Sequence, residues 1–218
     1  RVTRPLPFTV PAHNAVYLSV DFFPTDVSKK TCTMTIRSNA SDNPAINVTL
    51  KAASINWTGY SSPIVAQLYC INANPVTGDI WVGWAGGGAS RFNGTIWTTY
   101  MPADGLGSDS VRDIDFDTAG NVWLATYAGI SKFNGTTFTN YSPSTPYLGA
   151  CSVSVDKDGA VWAGTEFNGL YKLIASTNTW ASYSLPAAIG NSKVNDIAVD
   201  SYGNKWFATN DGVAELQN

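Results

Sequence analysis

The sequence predicts an all-β chain, a four-unit β-propeller over residues 56–218 preceded by part of a β-sandwich over residues 1–55. Three observations predict it. The word Gly120-Asn121-Val122-Trp123 returns as Gly78-Asp79-Ile80-Trp81, Gly159-Ala160-Val161-Trp162 and Gly203-Asn204-Lys205-Trp206, so the tryptophans stand 42, 39 and 44 residues apart. A period of about 40 residues built from short β-type segments marks a propeller or array. An aromatic pair keeps the same beat, as Trp57-Thr58-Gly59-Tyr60, Trp97-Thr98-Thr99-Tyr100, Phe138-Thr139-Asn140-Tyr141 and Trp180-Ala181-Ser182-Tyr183. Ahead of the repeats, the first quarter alternates apolar and polar residues as half-buried strands do.

Composition bounds the function. The 218 residues are 44% hydrophobic and 12% aromatic, enough to build a buried core. Only 13% are charged, with a net charge of −3 and a pI near 4.9, so no basic patch is available to neutralise a phosphate backbone. Nucleic acid and an anionic membrane surface are excluded as partners on that ground. No apolar run reaches the roughly 20 residues that span a bilayer, and no membrane insertion is expected. The chain reads as a soluble mature segment or a piece of something longer. Cys32, Cys70 and Cys151 are odd in number and share no metal-ligand spacing. They predict small buried side chains on strands rather than a disulfide framework or a zinc site, and no metal or other cofactor is expected. Abundant Thr, Ser, Asn, Gly and aromatic residues with little Lys and Glu suit an extracellular or cell-surface protein, with the periplasm as a further compartment.

In chain order, Val16, Leu18, Val20 and Phe22 fall on one face of a strand, and Cys32, Met34 and Ile36 on one face of the next. The cluster Ser38-Asn39-Ala40-Ser41-Asp42-Asn43-Pro44 is a turn, and Ile46-Asn47-Val48-Thr49-Leu50 is the returning strand. The runs Phe8-Thr9-Val10-Pro11-Ala12, Val20-Asp21-Phe22-Phe23-Pro24, Thr35-Ile36-Arg37-Ser38-Asn39, Asp42-Asn43-Pro44 and Val48-Thr49-Leu50 resemble the second half of immunoglobulin-like domains of the ASPM/SPD-2/Hydin type. In bacteria such domains commonly occur within large secreted or surface proteins. The resemblance implies a partial immunoglobulin-like β-sandwich, since a complete one needs about 100 residues, and a neighbouring chain that could complete it by strand addition.

The repeats follow. Each unit offers four strands, here a to d from the inside outward. Val111–Phe116 is an inner strand echoed by Ser152–Val155 and Val194–Val199, and Ile130–Phe133 is a third strand echoed by Ala89–Phe92, Leu170–Leu173 and Val213–Leu216. The order along the chain is d, then abcd three times, then abc. Pairing the strand around Trp57 with the last unit would close four blades and remove exposed edges. A slice of a larger propeller has the same order, and the sequence leaves both open. Asp117-Thr118-Ala119-Gly120-Asn121, Asp156-Lys157-Asp158-Gly159 and Asp200-Ser201-Tyr202-Gly203-Asn204 are tight hairpin loops. Six Asn-x-Ser/Thr triplets, at Asn39, Asn47, Asn56, Asn93, Asn134 and Asn140, read chiefly as chance and turn chemistry rather than glycan acceptors. These units resemble the two-component-regulator propeller repeat, in its pattern of Asp-x-x-Gly-Asn-x-Trp-x-Gly-Thr followed by an outer aromatic-x-x-Tyr. That resemblance implies a sensing or binding portion of a larger protein and no catalytic residue. The first unit departs from the pattern, with Trp84 where Thr126, Thr165 and Thr209 stand.

Catalytic machinery is scarce. His13, the single histidine, precedes the repeats, which excludes Ser-His-Asp triads and histidine metal clusters there. Streptogramin-lyase-like propellers have similar repeats, but that resemblance implies active-site histidines this chain lacks. Paired carboxylates at Glu166 and Asp211 leave a carbohydrate-active enzyme as a rival reading. Binding fits better. Propeller geometry places Trp84, Tyr127, Glu166, Phe167 and Asp211, and nearer the axis Arg112 and Asn195, on one face, where aromatic rings beside polar groups suit a carbohydrate or a protein ligand. The expectation is a non-enzymatic binding or scaffold module of a bacterial secreted or surface protein. The structural alternative is a subunit of an extracellular assembly completed in trans.

Overall fold

The computed structural model describes residues 30–37, 45–52, 58–61, 63–142, 149–174, 177, 179–189 and 193–217. The chain forms two compact units, Arg1–Ser61 and Ser62–Asn218. In the first, β1 (Lys30–Arg37) and β2 (Ala45–Ala52) pair antiparallel, with Cys32 opposite Leu50, Met34 opposite Val48 and Ile36 opposite Ile46. The strand expected over residues 15–22, His13, and the Pro and Asn-Pro positions that carry most of the immunoglobulin-like resemblance lie outside the described residues.

In the second unit, the described residues build four antiparallel sheets whose strand order follows the chain. The first holds β3 (Leu68–Ala73), β4 (Ile80–Trp84), β5 (Ala89–Phe92) and β6 (Trp97–Tyr100). The second holds β7 (Val111–Phe116), β8 (Val122–Thr126), β9 (Gly129–Phe133) and β10 (Phe138–Tyr141). The third holds β11 (Ala150–Val155), β12 (Val161–Thr165), β13 (Leu170–Ile174) and β14 (Thr179–Tyr183), and the fourth β15 (Val194–Val199), β16 (Lys205–Thr209) and β17 (Gly212–Leu216). Each sheet is an up-and-down blade of a β-propeller. The leading strands β3, β7, β11 and β15 stand side by side in that order, which makes them the inner strands. Trp57, expected to begin the strand completing the fourth blade, lies outside the described residues, and Thr58–Ser61 carry no strand.

The repeated word works as one hydrogen-bonded unit. Asp156 Oδ1 accepts the Asp158 and Ala160 N–H groups at 3.0 and 2.9 Å, while Oδ2 accepts the Trp162 indole N–H at 3.3 Å. Asp117 and Asp200 repeat this with Trp123 at 3.2 Å and Trp206 at 3.3 Å. The aspartate therefore closes the a–b turn and fixes the ring that follows. Gly159, at φ +80°, supplies the left-handed residue of that turn. Burial alone would raise the Asp156 carboxyl, but the Ala160, Trp162 and Asp158 donors and the Lys205 ammonium at 3.7 Å hold it below the usual range. At the other end of strand b, Thr126, Thr165 and Thr209 donate to the carbonyls of Gly129, Gly169 and Gly212 at 2.8–2.9 Å and lock the b–c turn. The Asn-Gly-Thr words are turns too: Asn93 and Asn134 side chains accept the Ile96 and Thr137 N–H groups.

Blades adhere through three apolar seams. Trp81 and Ala89 of the first blade pack with Val111, Ile114, Phe116, Val122, Leu124 and Phe133 of the second. Trp123, Ala125 and Ile130 meet Ala150, Val153, Val161, Ala163 and Leu173, and Trp162 and Leu170 meet Val194, Ile197, Phe207 and Ala214. The tryptophans also stack on the outer-strand tyrosines, Trp81 on Tyr100 at 5.5 Å and Trp123 on Tyr141 at 5.4 Å. Inner strands have one edge without a sheet partner, and side chains from the preceding blade satisfy it. Val153 N–H donates to Asp113 Oδ2 at 2.9 Å and Val155 N–H to Asp115 Oδ2 at 2.7 Å. Asn72 donates to the Ile114 carbonyl at 2.9 Å, and Ser152 Oγ to the Val194 carbonyl at 3.4 Å.

Candidate functional site

Every inner strand carries a register shift at the same place, between Leu68 and Cys70, Val111 and Asp113, Ala150 and Ser152, and Val194 and Asp196. The bulged residues are Tyr69, Arg112, Cys151 and Asn195. A bulge re-aims a side chain away from the ladder. Here all four are aimed alike, and together with Lys193 they line a cavity of about 260 Å³ at the start of the inner strands. A larger depression of about 410 Å³ lies at the outer side of the third blade, against Asn168, Tyr171, Ser182, Tyr183, Ser184 and Leu185. It carries no charged group and draws on a single blade. The axial cavity draws on all four.

Its electrostatics are organised by Arg112. The guanidinium donates to Glu166 Oε2 at 2.8 Å and to Cys151 Sγ at 3.1 Å, and lies 5.8 Å from the centre of the Tyr127 ring. Partial burial works against its charge, but hydrogen bonds to Glu166 and Cys151 offset that and raise its pKa further. Burial pushes the Cys151 thiol up, against the pull of Arg112 and Lys193, so the sulfur stays protonated at neutral pH and is not poised as a nucleophile. Asn195 donates to Asn210 Oδ1 at 2.9 Å. Lys193 makes no ion pair among the described residues, leaving one cation uncompensated at the cavity rim. The set offers one cation, one ion pair, an amide and a phenol ring, which suits a small polar ligand bearing an anionic group. No cluster of metal-ligating side chains occurs among the described residues.

Of the residues singled out from sequence, Arg112, Tyr127 and Glu166 come together, and Asn195 lines the same cavity as Arg112. Phe167, next to Glu166, is exposed. Asp211 is exposed in the β16–β17 turn, where its N–H donates to Thr209 Oγ1, and no contact joins it to Glu166. Trp84 requires correction: it is buried, with its indole N–H donating to Ser90 Oγ at 3.0 Å. A ring so placed packs the blade and presents no stacking face. Tyr69, Cys151 and Lys193 were missed. The available signal was the shared repeat position of Tyr69, Cys151, Arg112 and Asn195, each directly after the first apolar residue of an inner strand.

No protein-family model matches this chain, and no curated protein does. Solved structures do. The extracellular domain of the hybrid two-component system BT3049 from B. thetaiotaomicron is 26% identical at a TM-score of 0.53, over 68% of this chain and 20% of that one. The corresponding domain of BT4673 from the same organism is 19% identical at a TM-score of 0.55, over 68% of this chain and 21% of that one. Virginiamycin B lyase from Staphylococcus aureus, in a catalytically inactive form with quinupristin, is 15% identical at a TM-score of 0.57, over 87% and 60%. The last two likenesses show the fold alone. The chain spans about a fifth of the length of the two-component-system domains it matches.

Proposed function

We propose that this chain is a non-enzymatic binding and scaffold module of an extracellular bacterial protein, and that it takes a carbohydrate bearing an acidic group at the axial cavity. The observation that carries this reading is the convergence of the four bulged residues, one from each blade, with Lys193 on one cavity. Lys193 and Arg112 would receive a carboxylate, the Tyr69 ring a sugar face and Asn195 a hydroxyl, with Glu166 holding the Arg112 guanidinium in place. Likeness to an extracellular two-component-system domain supports the compartment. The rival reading of an enzyme with paired carboxylates loses support, because Glu166 is engaged by Arg112 and Asp211 lines no part of the cavity.

Titration calorimetry with digalacturonate, and with neutral galactobiose as control, tests the proposal. The acidic sugar is expected to bind, and Arg112→Gln with Lys193→Gln to weaken it at least tenfold, about 1.4 kcal/mol. Equal binding of the neutral sugar, or indifference to the double substitution, would sink it.

A further inference from the structure

Four turns join strand b to strand c on the side of the axial cavity, and they are not alike. Directly after strand b the first blade has Ala85-Gly86, the second Tyr127-Ala128, the third Glu166-Phe167 and the fourth Asn210-Asp211. Large rings therefore stand only on the two middle turns. Tyr127 is 49% and Phe167 73% exposed, although both belong to blades that pack against a neighbour on each side.

Neither ring rides on a loose segment. The first residue of each turn donates its N–H to the chain leading into the inner strand, Tyr127 to the Ser110 carbonyl at 3.1 Å and Glu166 to the Gly149 carbonyl at 3.0 Å. A second bond closes each turn, from Ala128 N–H to Thr126 Oγ1 at 3.2 Å and from Asn168 N–H to Thr165 Oγ1 at 2.9 Å. An apolar ring held in water by a fixed turn contributes little to folding, and it loses little freedom when a ligand covers it.

The rings are continuous with the cavity. Arg112, which lines it, stands over the Tyr127 ring at 5.8 Å and bonds Glu166, the neighbour of Phe167, at 2.8 Å. A Cβ placed on Gly149 would lie 4.0 Å from Tyr127 Cδ2 and 3.8 Å from Glu166 Oε2, so the floor beside both is kept bare by a glycine. Arg112 compensates the charge of Glu166, whereas Asp211 on the fourth turn is exposed and makes no ion pair among the described residues. A negatively charged chain leaving the cavity is thus repelled on the fourth-blade side and admitted over the second and third.

We propose that the axial cavity is one end of a groove, and that the second and third units of an acidic oligosaccharide lie across Tyr127 and Phe167. This rests on the reading of the cavity as an acidic-sugar site and adds to it a ligand length and a direction. The first unit sets its carboxylate against Lys193 and Arg112, and the next two present their C–H faces to the rings.

Titration calorimetry with galacturonate, digalacturonate and trigalacturonate tests this. The trimer is expected to bind at least about tenfold more tightly than the monomer, and that ratio is the readout. Tyr127→Ala and Phe167→Ala should each lower the ratio at least about threefold. Tyr127→Phe should keep it, and Lys193→Gln should weaken all three sugars while leaving the ratio as it is. Both rings are exposed, so neither alanine disturbs the core, and matching thermal melts verify that. Equal affinity at all three lengths, still dependent on Lys193, would overturn the groove and leave the cavity reading standing. A ratio indifferent to both alanines would overturn it as well, since the added contacts would then lie elsewhere. No binding at any length would defeat the cavity reading, and the groove with it.

Discussion

Asp113 illustrates what a single side chain contributes and what it costs. It stitches the second blade to the third, yet burial raises its carboxyl to about 6 against the hydrogen bonds from Val153 and Ile114, with Asp196 and Asp115 adding to the rise. Between its unfolded value near 4 and its folded value, the native chain holds a proton that the unfolded chain has released, so stability falls as pH rises through that window. Asp113→Asn removes the charge and keeps one acceptor, for Val153, while its amide NH2 loses the bond from the Ile114 N–H. Urea midpoints should show the variant's stability relative to the parent to be higher at pH 7 than at pH 3.5, by on the order of 2 kcal/mol. A gain of equal size at both pH values would refute the ionic account. At this scale the sequence was legible where a residue recurs in a repeat: Arg112, Tyr127 and Glu166 were found because their positions are copied. It was illegible in depth. Trp84 replaces a threonine whose hydroxyl closes a turn, and nothing in the chain order reveals that Ser90 receives its indole.

Strand contacts are tuned by volume. The fourth residue of strand b is Gly83, Ala125, Gly164 and Ala208 in the four blades, and it presses on the first residue of the next inner strand. Gly83 faces Val111, Gly164 faces Val194, and Ala125 faces the smaller Ala150. A Cβ on Gly164 would lie 2.6 Å from Val194 Cγ1 and collide with Ser152 Oγ. Gly164→Ala should therefore destabilise by about 1–3 kcal/mol, the usual penalty of an overfilled core. Adding Val194→Ala should recover only part of it, because it removes Val194 Cγ1 but leaves the Val194 Cβ at 2.7 Å and the Ser152 Oγ in place. Chemical denaturation of the single and double variants reads this out, and strictly additive losses would count against it. Most strands could be named from sequence, since Val111–Phe116, Ala89–Phe92 and Phe138–Tyr141 are bounded by the same turn words. β3 escaped: Leu68-Tyr69-Cys70-Ile71-Asn72-Ala73 is followed by Asn74 where Asp117, Asp156 and Asp200 follow the other inner strands, and most of its residues are exposed.

The molecule as a whole is a series of like units, each touching its neighbours, so stability should be graded along it. Among the described residues the second and third blades pack on both sides and the first and fourth on one. Hydrogen exchange at dilute concentration is expected to be slowest in β7, β8, β11 and β12 and fastest in β3 and β15–β17; uniform protection across all four blades would contradict a nearest-neighbour account. The all-β class and the count of four units were readable because the period is carried by turns, which are local. How deeply a side chain is buried between two blades is not local, and no spacing in the chain encodes it. The repeated seam has one more consequence. Each blade carries a donating face on one side and a receiving face on the other, so loss of one whole repeat would bring together two faces of the same pattern but not of matched volume: without the third blade, Ala125 would meet Val194 in place of Ala150. The series can thus shorten by a unit only with a compensating exchange of a small residue at the new junction.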